Sequence, residues 1–173
     1  MAGAVVGVCA VVVMGVSGAG KSTVGRLIAA RLGCPFRDAD SFHSQANIEK
    51  MRRGEPLSDA DRWPWLRAIA DWIEGQRDAG TTGVVTCSAL KRAYRDVVTA
   101  NQAADVRLVY LKGDFALIEG RLKARTGHFM PAALLQSQFD ALEQPAAEER
   151  AIVASIDAAP DAIADRIVRE ITD

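Results

Sequence analysis

Cysteine chemistry has little to work with in this chain: among 173 residues there are three cysteines, Cys9, Cys34 and Cys87, an odd number without C-x-x-C spacing. Neither a disulfide framework nor a zinc site is indicated, and a reducing cytoplasm is the expected compartment. A surplus of either charge is also lacking. The formal net charge of -1 argues against nucleic acid as the main partner, because a phosphate backbone calls for a basic surplus. The apolar run from Ala4 to Met14 is too short to span a bilayer and no basic start precedes it, so no membrane partner or secretory signal is expected. Repeats and low-complexity tracts are missing as well. What remains is ordinary globular usage, 49% hydrophobic and 25% charged, at a length that suits a single domain over residues 1–173.

The apolar, β-branched segments Cys9 to Met14, Val84 to Cys87 and Val106 to Leu111 have strand length and little polar alternation, as parallel strands covered on both faces do. Pro35 to Arg37 and Ala151 to Ile156 are weaker strand candidates. Helical patterns lie between them: Lys21 to Leu32, Trp65 to Ala79, Lys91 to Gln102, Phe115 to Thr126, Pro131 to Leu142 and Pro160 to Ile171. This alternation predicts an α/β fold, an open and mostly parallel sheet with helices on both faces.

The stretch "MGVSGAGKSTVG" carries G-x-x-x-x-G-K-[ST] at Gly15, Gly20, Lys21 and Ser22, directly after a strand and opening a helix. In that setting the backbone from Gly15 through Ser17, Gly18, Ala19 and Gly20 to Thr23 cradles nucleotide phosphates. Glycine permits the close approach, and the helix N-terminus supplies donors and a positive dipole end. Lys21 is expected to bridge phosphate oxygens and the Ser22 hydroxyl to bind Mg2+. The loop predicts ATP binding but no reaction class, since switches, motors and small-molecule kinases share it. No N-K-x-D for guanine is present.

Downstream words narrow the reading. "RDADSFH" follows the short second strand, and residues two apart on a strand face one side, so Asp38 and Asp40 can both face the phosphate loop. One could hold Mg2+ through water while the other accepts a hydroxyl proton. In "PLSDADRWPWL", Ser58, Asp59 and Asp61 could cap a helix, which would set Arg62 against the positive dipole end; with Pro64 as the first helical residue, Arg62 stays in a loop and can meet an anion. "CSALKRAYRD" places Lys91 and Arg95 one helical turn apart beyond a strand's C-terminal end, a cation pair suited to an anionic substrate or simply a solvated face. "GRLKARTGHFM" puts Arg121 and Arg125 on one helix face running into Gly127 and His128. Such a segment, about 121–135, suits a mobile lid whose arginines meet the nucleotide and the transferring phosphoryl group. His128 is then a lid or substrate contact, or a capping residue.

Together, "GVSGAGKST", "DADSFH" followed by Asn47, Lys50 and Met51, "GEPLSDADRWPWL", "CSALKRAYRD" and "GHFMPAALLQSQFDALE" resemble the bacterial-type gluconate kinases of the small phosphate-loop class, in the expected order from Met14 to Glu143. The resemblance implies ATP-dependent phosphorylation of D-gluconate on its 6-hydroxyl, with Mg2+, by a cytoplasmic homodimer. It also implies a core and lid similar to those of shikimate and nucleoside-monophosphate kinases, with sheet order 2-3-1-4-5. A substrate with one carboxylate and many hydroxyls agrees with a site mixing Asp40, His43, Arg62, Lys91 and Arg95. Asp40 is the candidate base and Asp38 the Mg2+ support, although the two roles can be exchanged. The sequence departs from the family pattern at "LEQP", where a second acidic residue before proline is expected, and in its first eight residues, an apolar extension.

Overall fold

The computed structural model describes residues 4–125 and 132–173. Among these, five strands form one sheet: β1 (Ala10–Met14), β2 (Phe36–Asp38), β3 (Gly83–Thr86), β4 (Val106–Lys112) and β5 (Ile152–Ser155). The strand order is β2-β3-β1-β4-β5, the order the family resemblance implies, and every pairing is parallel, as the alternation of apolar strands and helical patterns predicts. Parallel neighbours need crossovers, which the helices supply: α1 (Lys21–Leu32), α2 (Gln45–Arg52), α3 (Asp59–Ala79), α4 (Arg92–Val98), α5 (Phe115–Ala124), α6 (Ala132–Ala141) and α7 (Pro160–Thr172).

Strand alternation explains why both faces are covered. On β1, Val11 and Val13 point into a core shared with α1, α5, α6 and α7, whereas Ala10, Val12 and Met14 point into a second core with α3 and α4. All five are fully buried, hence the unbroken apolar run. The register sets Val13 of β1 and Asp38 of β2 both opposite Thr86 of β3. The segments leaving these strands therefore emerge along one edge, beside the central strand where connectivity switches direction, which is where open α/β sheets bind ligands. No helix of the described residues is long and apolar enough to cross a membrane.

Several boundaries differ from the sequence reading for local reasons. α3 starts at Asp59, not Pro64: the Ser58 hydroxyl accepts from the Asp61 N–H at 3.2 Å and the Asp61 carboxylate from the Ser58 N–H at 2.9 Å, a complete capping box. Pro64 is carried inside the helix. α4 is shorter than expected, with Lys91 at its N-cap, and beyond Thr99 the backbone of Ala100, Asn101 and Gln102 turns left-handed. α5 stops at Ala124, so Arg125 adopts an extended conformation and does not share a helix face with Arg121. The expected lid, 121–135, includes 126–131 and with them His128, which lie outside the described residues.

Candidate active site

The phosphate loop runs from Gly15 at the end of β1 into α1. Gly20 occupies the N-cap with φ +91°, a left-handed conformation that costs glycine little, and no side chain caps the helix. The first-turn N–H groups of Lys21, Ser22 and Thr23 thus lie at an uncapped positive dipole end, where Gly18, Gly20 and Arg125 complete a recess of about 100 Å³. Gly18 is needed for a second reason: at φ +82°, a Cβ there would stand 2.9 Å from the Leu122 side chain. Ala19 contributes backbone only, its methyl being buried in the core.

Lys21 lies across the loop, its Nζ donating to the Gly15 carbonyl at 2.9 Å and the Val16 carbonyl at 3.0 Å. Burial lowers its pKa, and the charges of Asp38 and Asp40 oppose that shift. Ser22 Oγ donates to Asp38 Oδ2 at 2.7 Å, while Asp38 Oδ1 accepts from the Asp40 N–H at 3.0 Å. Asp38, the last residue of β2, caps the 3-10 turn Ala39–Phe42, and Asp40 reaches the cleft from within that turn, so the strand itself carries only the first of the two aspartates. The Trp65 indole N–H, donating to the Ala39 carbonyl at 2.8 Å, pins that turn to α3. Ser17, Lys21, Ser22, Asp38, Asp40, Trp65, Ser88, Arg125 and Gln138 all line one cleft of about 530 Å³. Burial pushes the Cys87 thiol on its floor up to about 12, so no thiolate nucleophile is offered there.

A second pocket of about 240 Å³ adjoins the first, sharing Trp65, Ser88 and Gln138 with it and adding Arg62, Lys91 and Tyr94. Lys91 Nζ lies 5.7 Å and the Arg62 guanidinium 5.8 Å from the centre of the Tyr94 ring. Tyr94 donates its hydroxyl to Asp59 Oδ1, and Arg62 pairs with the same oxygen at 3.4 Å. Asp59 therefore offsets the unfavourable placement of Arg62 in a helix's first turn. Lys50, 2.8 Å from Asp61 Oδ2, ties α2 to the same turn and holds the Asp61 carboxyl down at about 2.

Arg95 and His43, both expected as substrate contacts, line neither of these two cavities. Arg95 is a core residue: its side chain is 1% exposed, its Nε meets Glu149 Oε1 at 2.7 Å, and Nη1 donates to the carbonyls of Ala89 and Leu90 at 3.0 and 3.1 Å. It shapes the loop that carries Ser88 and Lys91 and lines neither cavity. His43 stacks on Trp65, whose indole walls both cavities, with ring centroids 4.3 Å apart. Arg121 is likewise outside the cleft, donating to the Ile156 carbonyl just beyond β5. Tyr94, Asp59 and Gln138 were not foreseen as site residues. The one available signal for Tyr94 was its spacing, three residues after Lys91, which brings its ring beneath that cation.

The donor set also fits a divalent cation. Ser22 and Asp38 present adjacent hard oxygens, the kind Mg2+ takes alongside phosphate and water. Among the described residues, no group of three or more His, Cys, Asp or Glu could hold a metal by itself.

Residues 17–172 match the family model described as Shikimate kinase. A gluconokinase of Gluconobacter oxydans is 45% identical over 158 residues, covering 91% of this chain and 88% of its own length. Two solved structures superpose closely. A gluconokinase from Sinorhizobium meliloti has TM-score 0.81 and 43% identity over 94% of this chain and 89% of that one; a sugar kinase from Janibacter sp. has TM-score 0.83 and 47% identity over 92% of each. The small phosphate-loop kinase fold is therefore established. With likeness of this degree extending over nine-tenths of its length, the chain belongs to the gluconokinases of the shikimate kinase family.

Proposed function

We propose that this protein transfers the terminal phosphoryl group of ATP to the 6-hydroxyl of D-gluconate, giving 6-phosphogluconate and ADP. The observation that carries this reading is the continuity of the two cavities: an anion cradle opens, past Trp65 and Ser88, into a pocket lined by Arg62 and Lys91. Gluconate is a chain with a carboxylate at one end and the reacting hydroxyl at the other. With its carboxylate between Arg62 and Lys91, its far hydroxyl reaches toward Asp40.

The 6-oxygen attacks the terminal phosphorus in line, the bond to the ADP oxygen breaks, and the hydroxyl proton passes to a carboxylate. Asp40 is assigned that proton, since its carboxylate lines the cleft without a hydrogen-bond partner among the described residues, whereas Asp38 is engaged by Ser22 and the Asp40 N–H. Ser22 and Asp38 would hold Mg2+, which neutralises phosphate charge when bound. Lys21 and Arg125 stabilise charge on the transferring group, and Ser17, Gly18, Gly20 and Thr23 supply backbone donors. Arg121 serves the nucleotide indirectly, by holding the Ile156 carbonyl at the start of the loop that precedes α7. The resemblance extends this reading to a cytoplasmic homodimer, with the chain acting as one kinase domain.

The test is ADP release from Mg-ATP with D-gluconate, shikimate, AMP or no acceptor in parallel, each product identified by mass. Gluconate-dependent turnover yielding 6-phosphogluconate is expected. Turnover with another acceptor, or equal turnover with none, would overturn the assignment.

A further inference from the structure

One side chain belongs to both cavities and bonds to the phosphate loop itself. Gln138, on α6, accepts the Ser17 N–H at Oε1 (2.8 Å) and donates from Nε2 to Ser17 Oγ (2.9 Å). The amide orientation is fixed by chemistry, because a backbone N–H can only donate and the carboxamide oxygen must face it. Ser17 N–H is one of the loop donors that lead toward the acceptor side, so the acceptor it now has stands where a phosphate oxygen would be received. A phosphate oxygen, being charged, makes the stronger hydrogen bond of the two.

We infer that Gln138 is a coupling residue: the arriving terminal phosphate takes the Ser17 N–H, and the displaced carboxamide turns into the adjoining pocket to bind hydroxyls of the acceptor. The frame around it confines this exchange to the side chain. Leu135, one turn earlier, is buried in the core, and five residues later the Glu143 N–H donates to the Leu90 carbonyl at 2.8 Å while its carboxylate accepts from the Arg92 N–H at 3.1 Å. The α6 backbone is thus tied at both ends, to the core and to the loop bearing Lys91. The consequence is positive coupling: bound nucleotide frees a group that the acceptor then uses, and by reciprocity bound acceptor favours nucleotide.

The inference rests on the gluconate reading, and the two fail differently: that reading falls if gluconate supports no turnover, this one if turnover stands and coupling is unaffected. The experiment is calorimetric titration of the whole protein with D-gluconate and with a non-hydrolysable Mg-ATP analogue, each alone and in the presence of the other. Wild type should bind gluconate about tenfold more tightly with the analogue present, the worth of one good hydrogen bond. Gln138→Met, similar in length but unable to accept, should bind the analogue at least as well as wild type while its coupling factor falls to about one. Gln138→Glu should hold the Ser17 N–H more firmly, repel phosphate and weaken analogue binding by about tenfold, a loss that a merely structural glutamine would not produce. A wild-type coupling factor in Gln138→Met, or loss of its analogue affinity with an unchanged thermal melt, would overturn the inference. So would unchanged analogue binding in Gln138→Glu.

Discussion

The phosphate cleft and the pocket beside it share three lining residues, yet they are built in opposite ways. The cradle comes from one contiguous segment, Gly15 to Thr23, whose backbone dihedrals do most of the work and whose lysine is satisfied by its own loop carbonyls. The neighbouring pocket is assembled from α3, the Ser88–Lys91 loop, α4 and α6, and its shape depends on side-chain links between distant positions: Asp59 with Tyr94, Lys50 with Asp61, Arg95 with Glu149. Changes in the first should therefore act on turnover with the fold intact. Changes in the second should divide between acceptor affinity and stability, according to whether the side chain faces the pocket or supports it.

The largest effect is expected in the phosphate cleft, at the carboxylate assigned the proton. Asp40→Asn keeps the shape of the side chain but cannot take a proton, and kcat should fall on the order of 10²- to 10³-fold with nucleotide affinity nearly unchanged. Steady-state kinetics beside nucleotide titration would check this, and near-normal kcat would remove Asp40 from the chemistry and turn attention to Asp38.

Next comes a residue whose effect should be on stability. In Arg95→Met the Glu149 carboxylate remains buried without its cation. Burial alone would raise that carboxyl's pKa; the Arg95 guanidinium is the chief group holding it below the usual range, helped by the Ala146 N–H and the charge of Arg92. Losing one partner of a buried pair costs about 3–5 kcal/mol, whereas the double change Arg95→Met with Glu149→Leu should recover much of it. Urea denaturation of both variants measures the difference. A fully stable Arg95→Met with weakened gluconate binding would restore Arg95 to the site and break the distinction between lining and supporting residues.

That pair marks where the sequence stops being legible. The strands, their parallel pairing and the phosphate loop follow from apolar runs, their alternation with helical patterns and one contiguous motif, whereas the strand order comes only with the family resemblance. Lys91 and Arg95, by contrast, look equivalent in sequence, two cations one turn apart. They part company because the partner of Arg95 is Glu149, 54 residues away on a 3-10 turn, and no spacing rule reaches that far. The start of α3 was open to a purely local reading: Ser58 and Asp61 do form the capping box, and it outweighs both the dipole cost of Arg62 and the break suggested by Pro64. Gln138 left no signal, since its partner Ser17 lies 121 residues away.

Lys91 supplies the converse test. Lys91→Met should raise the gluconate KM by about tenfold or more, as loss of a charged hydrogen bond does, without changing nucleotide Kd or the thermal melt. Weakened nucleotide binding instead would move Lys91 to the phosphate side and merge the two regions functionally.

His43 carries the smallest expected effect, and its sign is informative. Half-buried against Trp65, its pKa is lowered from the ordinary 6.5 chiefly by desolvation, with Arg62 adding to the shift and Asp40 opposing it. The folded protein then binds a proton on His43 less readily than the unfolded chain does. The stability that comes from keeping the ring neutral is fully present above about pH 6.5 and is lost as pH falls from there toward the folded value. His43→Phe keeps a ring to stack on Trp65 but does not titrate, so between pH 7 and 5.5 wild type should lose more stability than the variant. Because the ring lines neither of the two cavities, the gluconate KM of the variant should stay within about threefold of wild type, under 1 kcal/mol. Parallel stability curves with a tenfold rise in KM would mean that the ring reaches the acceptor after all, and that a side chain stacked on the pocket wall belongs with the lining residues, not the supporting ones.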